Sequence, residues 1–377
     1  MKQIPFNKPY ITGKEFDYMK SALEEMKLSG NGRFTKKCHD FFTQRYGFKK
    51  TLLTTSCTDA LEMAALLINI KADDEVIMPS YTFVSTANAF ILRGAKIVFA
   101  DSRSDHPGID EDQIESLITN RTRAIVAVHY AGVACDMDKI MTLAKKYKLF
   151  VVEDAAQAVD SYYNGQPLGG IGHLGAFSFH ETKNVISGEG GMLVVNDEQF
   201  LKRSEIIWEK GTNRSAFFRG EVNKYGWMDV GSSFLPSEII AAFLAAQLEN
   251  LDKIQKRRKE IWHQYYDGLN SLKQKGLIGL PQLPDKTYNN GHMFYIVCLT
   301  LNERQQLISF LKNKGISAVF HYLSLHSSPY YKESHDGRIL KNSDHFADCL
   351  VRLPFFYELE SDDVVYIIDS IKEYFNE

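Results

Sequence analysis

The sequence predicts an α/β fold: a mostly parallel central sheet with helices on both faces, followed by a smaller C-terminal α+β domain. Three observations predict it. From Thr51 to Lys210, short apolar or β-branched runs alternate with helical stretches, the pattern of successive βαβ units. The run Leu149–Glu153 (LFVVE) closes on a second acid, Asp154. A buried parallel strand does this when it delivers a carboxylate to the sheet's C-terminal edge, where α/β folds bind ligands. From Pro236 the pattern changes to a long helical one. A length of 377 residues also exceeds what one compact core serves. The expected division is 1–240, a large ligand-binding domain with an N-terminal leader, and 241–377, with the long helix as the bridge.

The elements follow in order. Residues 1–35 hold a proline-containing start, a helical run from Lys14 to Met26, and the polar turn LSGNGRFT. Gly30 and Gly32 beside Arg33 read most simply as a turn, with cover for a ligand as the alternative. TLLTT is strand-like, and TDALEMAALLIN has helical spacing with Thr58 placed to cap it. EVIMPSYTF leads into the helix STANAFILRG; KIVFAD is a strand and Asp110–Ile118 a helix. RAIVAVHY and LFVVEDA are strands on either side of the helix MDKIMTLAKKY. AFSFHETKN and GGMLVVN complete the sheet, and Asp197–Lys210 makes another helix. Thr212–Phe234 is polar, aromatic and glycine-punctuated, without periodicity. SEIIAAFLAAQLENLDKIQKRRKEIWHQYYDGL reads as one long helix, with Lys253–Lys259 as its solvated face. A strand (MFYIVCLT), a helix (Glu303–Lys314), a short strand (Ala318–His321), a polar loop and a terminal helix (Ser361–Tyr374) finish the chain.

Composition bounds the partners. A chain with 44% hydrophobic and 24% charged residues has an ordinary globular balance. Its net charge of -3 gives no electrostatic reason to expect nucleic acid or an anionic membrane. The most apolar stretch, Leu52–Ile70, is interrupted by Thr54, Thr55, Ser56, Thr58, Asp59 and Glu62, so no transmembrane helix is expected. The start MKQIPFNKPYITGKEF lacks the apolar core of a signal peptide. Cys38, Cys57, Cys135, Cys298 and Cys349 form no CxxC pair, and the histidines show no HExxH spacing. Neither a disulfide framework nor a metal centre is indicated, and a cytoplasmic location is expected.

Lys183 is the chemical centre. It sits in a Gly-, Ser- and Thr-containing bend, reached by solvent yet flanked by aromatics. Partial desolvation lowers an amine's pKa and makes it a nucleophile toward carbonyls. Alone, Lys183 reads as a solvated charge and Asp154 as a helix cap. Together they are the two groups that pyridoxal phosphate needs, an amine for its aldehyde and a carboxylate for its ring nitrogen. Thr54–Thr58 (TTSCT) closes a strand and opens a helix, so its hydroxyls and N–H groups suit a phosphate. A plain hydroxyl cap is the alternative, and neither a Walker loop nor a Rossmann fingerprint is present. Ser178 offers another hydroxyl. Tyr81 and Phe83, at a strand's C-terminal end, can stack on a flat ring or serve as core aromatics. His129, His180, His321 and His326 fall at strand ends or in loops, where they reach substrate or serve structure.

The segments PFNKP, SGNGRFT, TSCTDALEMAAL, MPSYTFVSTANAF, VHYAGVACDMD, VVEDAAQ, FSFHETKN, GEGG and GSSFLPSE together resemble the DegT/StrS family of sugar-nucleotide aminotransferases over essentially the whole length. The resemblance implies the type I PLP-dependent transferase (aspartate aminotransferase) fold, with pyridoxal 5'-phosphate as cofactor. Residue by residue, it implies that Lys183 bonds the cofactor's aldehyde and Asp154 pairs with the pyridine nitrogen. Gln157 would meet the phenolic oxygen, Phe83 would stack on the ring, and the turn Cys57, Thr58, Asp59 with Ser178 would hold the phosphate. The run Ser187–Gly191 is suited to the close turn that relatives make after the lysine. Many relatives bring an asparagine from the neighbouring subunit within G-x-N-[YF]-R; Gly231-Ser232-Ser233-Phe234-Leu235 stands here, leaving Ser232 as the candidate. A homodimer with shared active sites is implied.

FHETKN with GSSFLPSE resembles the branch that aminates C4 of dTDP-4-dehydro-6-deoxyglucose with L-glutamate. The expected product is dTDP-4-amino-4,6-dideoxygalactose for a surface polysaccharide such as enterobacterial common antigen or O-antigen. Arg33, Arg219, His321 and His326 are chemically able to meet glutamate's carboxylates or the nucleotide diphosphate. Three readings compete. A sugar dehydratase of this family has histidine in place of the lysine, which Lys183 disfavours. A non-catalytic PLP-binding regulator is disfavoured by the intact Asp154, Gln157 and Lys183. The same chemistry on another nucleotide keto-sugar, or with a gluco product, competes because fold and cofactor residues do not fix the sugar.

Overall fold

The computed structural model describes residues 2–377. Helices α1 (Glu15–Glu24) and α2 (Arg33–Tyr46) precede the sheet. The second is an addition to the expected elements. Its Phe34, Cys38 and Phe42 are buried one turn apart, a period that the polar residues between them obscure. The backbone N–H groups of Gly32 and Phe34 donate to the buried Glu238 carboxylate at 2.8 and 2.7 Å, a helix cap supplied from two hundred positions away in sequence.

Strand and helix then alternate: β1 (Lys50–Thr54), α3 (Cys57–Leu67), β2 (Glu75–Pro79), α4 (Val84–Ile91), β3 (Lys96–Ala100), α5 (Glu111–Leu117), β4 (Thr122–Val128), α6 (Met137–Tyr147) and β5 (Phe150–Asp154). A small hairpin, β6 (Tyr162–Tyr163) and β7 (Gln166–Pro167), leads to β8 (Leu174–Ser178) and β9 (Gly191–Val195). Seven of these strands form one sheet in the order β1-β9-β8-β5-β4-β2-β3. Only β9 runs antiparallel to its neighbours. Along β4, Ile125 and Ala127 face one core with α2 and α6, while Ala124 and Val126 face another with α3 and α4. Burial on both faces is why these strands read as continuous apolar runs. Each fully buried Ile or Val contributes roughly 1.5–3 kcal/mol.

Beyond the sheet come α7 (Leu201–Trp208), α8 (Arg214–Phe218), α9 (Glu238–Leu248) and α10 (Leu251–Gln274). The single long helix expected from Pro236 is therefore two. The Asn250 side chain donates to the Ala246 carbonyl at 3.1 Å, competing with the backbone for the last turn of α9. Residues Ala241 to Ile254 belong to the sheet's core, whereas Ile261 onward lies in a separate one. That second core is built on α10, β11 (Tyr295–Val297), α11 (Leu301–Asn313), β12 (Leu350–Arg352) and α13 (Ser361–Tyr374), with β10 (Thr287–Tyr288) paired to β6 and α12 (Lys341–Cys349) leading into β12. The strand expected at Ala318–His321 is a single bridge, Val319 to Arg352. Part of the expected polar loop is instead α12 and β12. Among the described residues no helix is long and apolar enough to cross a membrane, no acidic, His and Cys cluster could hold a metal, and all five cysteines are free.

Candidate active site

The carboxyl ends of β1, β2, β4, β5 and β8 open onto a cavity of about 720 Å³, closed on its other side by residues of the second core and by Phe6 and Asn7 of the leader. Seven of the residues expected from the sequence line it: Cys57, Thr58, Phe83, Asp154, Gln157, Ser178 and Lys183. Two do not. The Asp59 carboxylate turns back onto the Thr55 hydroxyl, and its N–H donates to Ser56 Oγ at 3.1 Å. Ser56, rather than Thr58, is thus the cap of α3. Ser232 lies outside the cavity in the exposed 212–234 segment, its carbonyl accepting from the Lys210 N–H at 3.1 Å.

One end of the cavity is shaped for an anion. Cys57 and Thr58 open α3, so the positive end of that helix faces inward. Thr58 Oγ1 donates to Ser85 Oγ at 2.8 Å, and Ser178 completes a set of three hydroxyls lining the wall. Gly191 pairs with both Thr54 and Ser178. A Cβ there would lie 2.3 Å from the Ser56 carbonyl carbon, so only glycine lets β9 start against the α3 terminus. The antiparallel strand thereby holds the helix end and Ser178 at one distance.

Asp154 ends β5 and is buried. Its Oδ2 accepts from Thr86 Oγ1 at 2.7 Å and its Oδ1 from the Ala156 N–H at 3.2 Å. Burial pushes its pKa up, against those bonds and against Lys183 and His129. A carboxylate held there is completed by a protonated ring nitrogen, whose charge offsets its desolvation. Lys183 shows the opposite shift: burial lowers the amine's pKa, opposed by Cys57 and Asp154 and aided by the Arg352 cation, with no hydrogen bond to any side chain. A neutral, unpaired amine is what attack on an aldehyde needs. Gln157 Oε1 accepts from the Ala131 N–H at 2.6 Å and Nε2 donates to Tyr322 Oη at 3.0 Å, leaving one amide N–H for a ligand oxygen. Phe83 is 54% exposed although aromatic, because it faces the cavity; Tyr81, by contrast, is a fully buried core residue. An anion cradle, a carboxylate, an amine and an open aromatic face fit a phosphorylated pyridine aldehyde in size and polarity.

The remaining expectations divide. His129, His180 and His321 line the cavity, His129 with its Nε2 2.9 Å from the buried Glu153 carboxylate. His326 bonds Ser80 Oγ at 2.8 Å away from it. Arg33 pairs with Glu25, and Arg219 with Glu205 and Glu221; neither reaches the cavity. The cation that does is Arg352, at the end of β12, with its Nε buried and unpartnered. Thr86, Tyr322 and His292 also line the cavity, the last two without a clear mark in the sequence pattern. Arg352 precedes Leu353-Pro354 in a three-residue strand too short for any periodicity, and His292 sits in an aperiodic stretch; Thr86 carried a signal, one turn inside a helix that opens the sheet edge.

The family model described as the DegT/DnrJ/EryC1/StrS aminotransferase family matches residues 9–372. GDP-perosamine synthase of Escherichia coli O157:H7 is 32% identical over 381 residues, covering 100% of each chain. The spore coat polysaccharide biosynthesis protein SpsC of Bacillus subtilis (strain 168) is 33% identical over 382 residues, covering 98% of this chain and 96% of its own. Spr1654 of Streptococcus pneumoniae, solved in a PLP-form and a PMP-form, matches with a TM-score of 0.90 at 26% identity, over 99% of this chain and 98% of that one.

Proposed function

The chain is a pyridoxal-phosphate-dependent sugar aminotransferase of the DegT/DnrJ/EryC1/StrS family, and we propose that it moves the amino group of L-glutamate to C4 of dTDP-4-dehydro-6-deoxyglucose. The product would be dTDP-4-amino-4,6-dideoxygalactose, for a surface polysaccharide such as enterobacterial common antigen or O-antigen. The observation that carries the transfer chemistry is Lys183, an amine made less basic by burial in the cavity that also presents Asp154. The choice of sugar rests on the segments FHETKN and GSSFLPSE. A second reading, a GDP-linked 4-keto-6-deoxy sugar, is favoured by the full-length similarity to GDP-perosamine synthase.

When bound, pyridoxal phosphate supplies an aldehyde and an electron-accepting ring. The chain's own groups do the rest. Cys57 and Thr58 at the α3 terminus, with Ser178, hold the phosphate. Asp154, oriented by Thr86, keeps the proton on the ring nitrogen; Gln157 meets the phenolic oxygen, and Phe83 stacks on the ring. Lys183 Nζ takes the proton from the donor's Cα and delivers one to C4 of the sugar. The donor carbon is oxidised and leaves as 2-oxoglutarate; the sugar carbon is reduced and gains the nitrogen. The exposed Phe218, Tyr225, Trp227 and Met228 of the 212–234 segment support a second copy of the chain packing on that segment, which would bring Ser232 toward the partner's phosphate. The division proposed here lies within α10 rather than near 240, since α9 and the first turn of α10 belong to one core and the residues from Ile261 to the other. A cytoplasmic location fits the substrates.

The test is a turnover assay with mass spectrometry on the holoenzyme, L-glutamate and dTDP-4-dehydro-6-deoxyglucose. Formation of 2-oxoglutarate together with an aminated dTDP-hexose supports the reading, and proton couplings at C4 distinguish galacto from gluco product. Conversion of the cofactor by glutamate with amination only of a GDP-linked keto-sugar establishes the second reading. A cofactor that responds to no amino donor leaves a non-catalytic PLP-binding protein.

A further inference from the structure

Two hydroxyls beside Asp154 are turned away from the task their position suggests. Thr82 follows β2, and Thr86 lies in the first turn of α4. Small hydroxyl residues at such a junction ordinarily cap the helix. Here the cap position falls to Phe83, and α4 starts without a side-chain cap. Thr82 Oγ1 instead lies 2.9 Å from Thr86 Oγ1, which donates to Asp154 Oδ2 at 2.7 Å. Both threonines line the cavity wall, yet Thr82 is 2% and Thr86 0% exposed, so little water competes for their hydroxyls.

The protons of this pair have one arrangement when Asp154 is ionised. A carboxylate only accepts, and a hydroxyl has a single proton. Thr86 commits its proton to Asp154, its oxygen is left to accept, and Thr82 must donate to it. Both hydroxyl protons of the chain Thr82–Thr86–Asp154 then point toward the carboxylate, and such chains polarise cooperatively in a low-dielectric interior.

Few other groups share the task. The Ala156 N–H meets Asp154 Oδ1 at 3.2 Å. His129 turns Nε2 to Glu153 and Nδ1 to the Cys135 N–H, so neither ring nitrogen serves Asp154. Burial makes Lys183 less basic, and Cys57 and Tyr322 are further titratable groups that sense Asp154. Burial also pushes Asp154 toward its neutral form, in which it gives a ring-nitrogen proton no counter-charge.

We propose that Thr82 is a positioning residue of the transfer reaction: through Thr86 it holds Asp154 as the carboxylate that keeps a proton on the ring nitrogen of bound pyridoxal phosphate. The inference rests on the aminotransferase reading above and extends it by one hydroxyl, on the same loop as Phe83.

Two readouts test it. The first is the titration midpoint of the Asp154 carboxyl in the full-length, cofactor-free protein, followed by carbon NMR with labelled aspartate and assigned through D154N. T86V should raise the carboxyl's proton affinity by roughly 10–150-fold, the range for a lost bond to a charged group. T82V, which removes only the outer hydroxyl, should raise it by roughly 2–10-fold, the range for a neutral hydrogen bond. The double variant should titrate like T86V alone, because Thr82 acts only through Thr86. T82S keeps the hydroxyl and should restore the wild-type midpoint within about 2-fold. The second readout is the pair of half-reactions on the holoenzyme, with L-glutamate and with the keto-sugar that the wild type accepts. One Asp154 serves both, so T82V should slow both by the same factor, about 2–10-fold in kcat, and T82S should recover both. A midpoint unmoved by T82V, or a T82V effect that adds in full to that of T86V, would overturn the relay and leave the aminotransferase intact. A wild type that completes neither half-reaction would overturn the functional reading, and this inference with it.

Discussion

Glu153 neighbours the proposed catalytic Asp154 in the same strand, yet its surroundings give it a structural task. Its Oε1 accepts from the Ile171 and Gly172 N–H groups at 2.7 and 2.5 Å, and its Oε2 from the Gly169 N–H at 2.7 Å and His129 Nε2 at 2.9 Å. Both side chains are 0% exposed. Glu153→Gln keeps the shape and turns one oxygen into a donor. If the NH2 replaces Oε1, two buried N–H groups face it. If it replaces Oε2, the Gly169 N–H faces it, and His129 must release its Nδ1 contact with the Cys135 N–H, 3.3 Å away, to accept on Nε2. In either case two buried donors are stranded, the cheaper pair being the Gly169 and Cys135 N–H groups, at about 1–3 kcal/mol each, and three charge-assisted bonds become neutral ones. Together these predict a loss of about 3–5 kcal/mol. Urea unfolding of the variant, with the midpoint converted through its own m-value, measures it. Turnover per folded molecule should stay within about 3-fold, since Glu153 does not line the cavity. A stability loss under about 1 kcal/mol would refute the claim that this carboxylate anchors the 169–172 turn.

Asp154→Asn should lower turnover by at least about 10³-fold, as removal of a preorganised charge does, with bound cofactor still visible by absorbance; an ordinary rate would remove Asp154 from the mechanism. Gly191→Ala forces a Cβ against the Ser56 backbone and should weaken cofactor retention on dialysis and destabilise by about 1–3 kcal/mol; unchanged retention would show that β9 does not set the cradle. Lys183→Met abolishes turnover and also tests burial of the amine in the cofactor-free protein. Burial lowers the folded-state pKa, so the unfolded chain binds the proton more readily. The penalty is complete below the folded pKa, shrinks as pH rises, and vanishes above the unfolded value near 10.5. The variant should therefore be the more stable form at neutral pH and lose its advantage in alkali. An advantage independent of pH would point to packing instead.

The half of the cavity proposed to hold the cofactor was legible because it is local. Asp154, Gln157, Ser178 and Lys183 fall within one stretch whose strand ends announce themselves through apolar runs closing on polar residues, and Cys57 and Thr58 follow the same rule. Asp59 and Thr58 show the limit: both sit in a recognisable helix start, but which hydroxyl caps and which side chain turns away depends on contacts with Ser56 and Ser85 that spacing does not encode. The cavity wall that carries His292 and Arg352 was illegible because it is assembled from positions far apart. Arg33 and Arg219 were plausible cations by charge alone, yet each is neutralised by nearby glutamates, while Arg352 hid in a three-residue strand. Among the elements, α2 was missed because its apolar residues (Phe34, Cys38, Phe41, Phe42 and Tyr46) are broken up by polar runs, and the α9–α10 junction because Asn250 breaks the helix through its side chain without a proline or glycine to mark it.

Helix α10 explains how two cores can present one site with fixed geometry. Its first turn lies in the sheet's core, and two of its buried polar residues, Gln255 and Arg258, are three positions apart and so project from one face. Gln255 binds Asn184, the residue after the proposed catalytic lysine. Arg258 donates to the carbonyls of Gly291 and His292 at 3.0 and 2.6 Å and stacks 4.9 Å from the Phe355 ring. The lysine loop and the His292 loop are thus tied to the same turn of the same helix and joined to each other through Asn184 and His292. A buried arginine satisfied by carbonyls rather than a carboxylate contributes little net stability, because its desolvation offsets its bonds. What those bonds provide is position. They set the distance between the lysine loop and the cavity wall that carries His292, which neither core could fix alone.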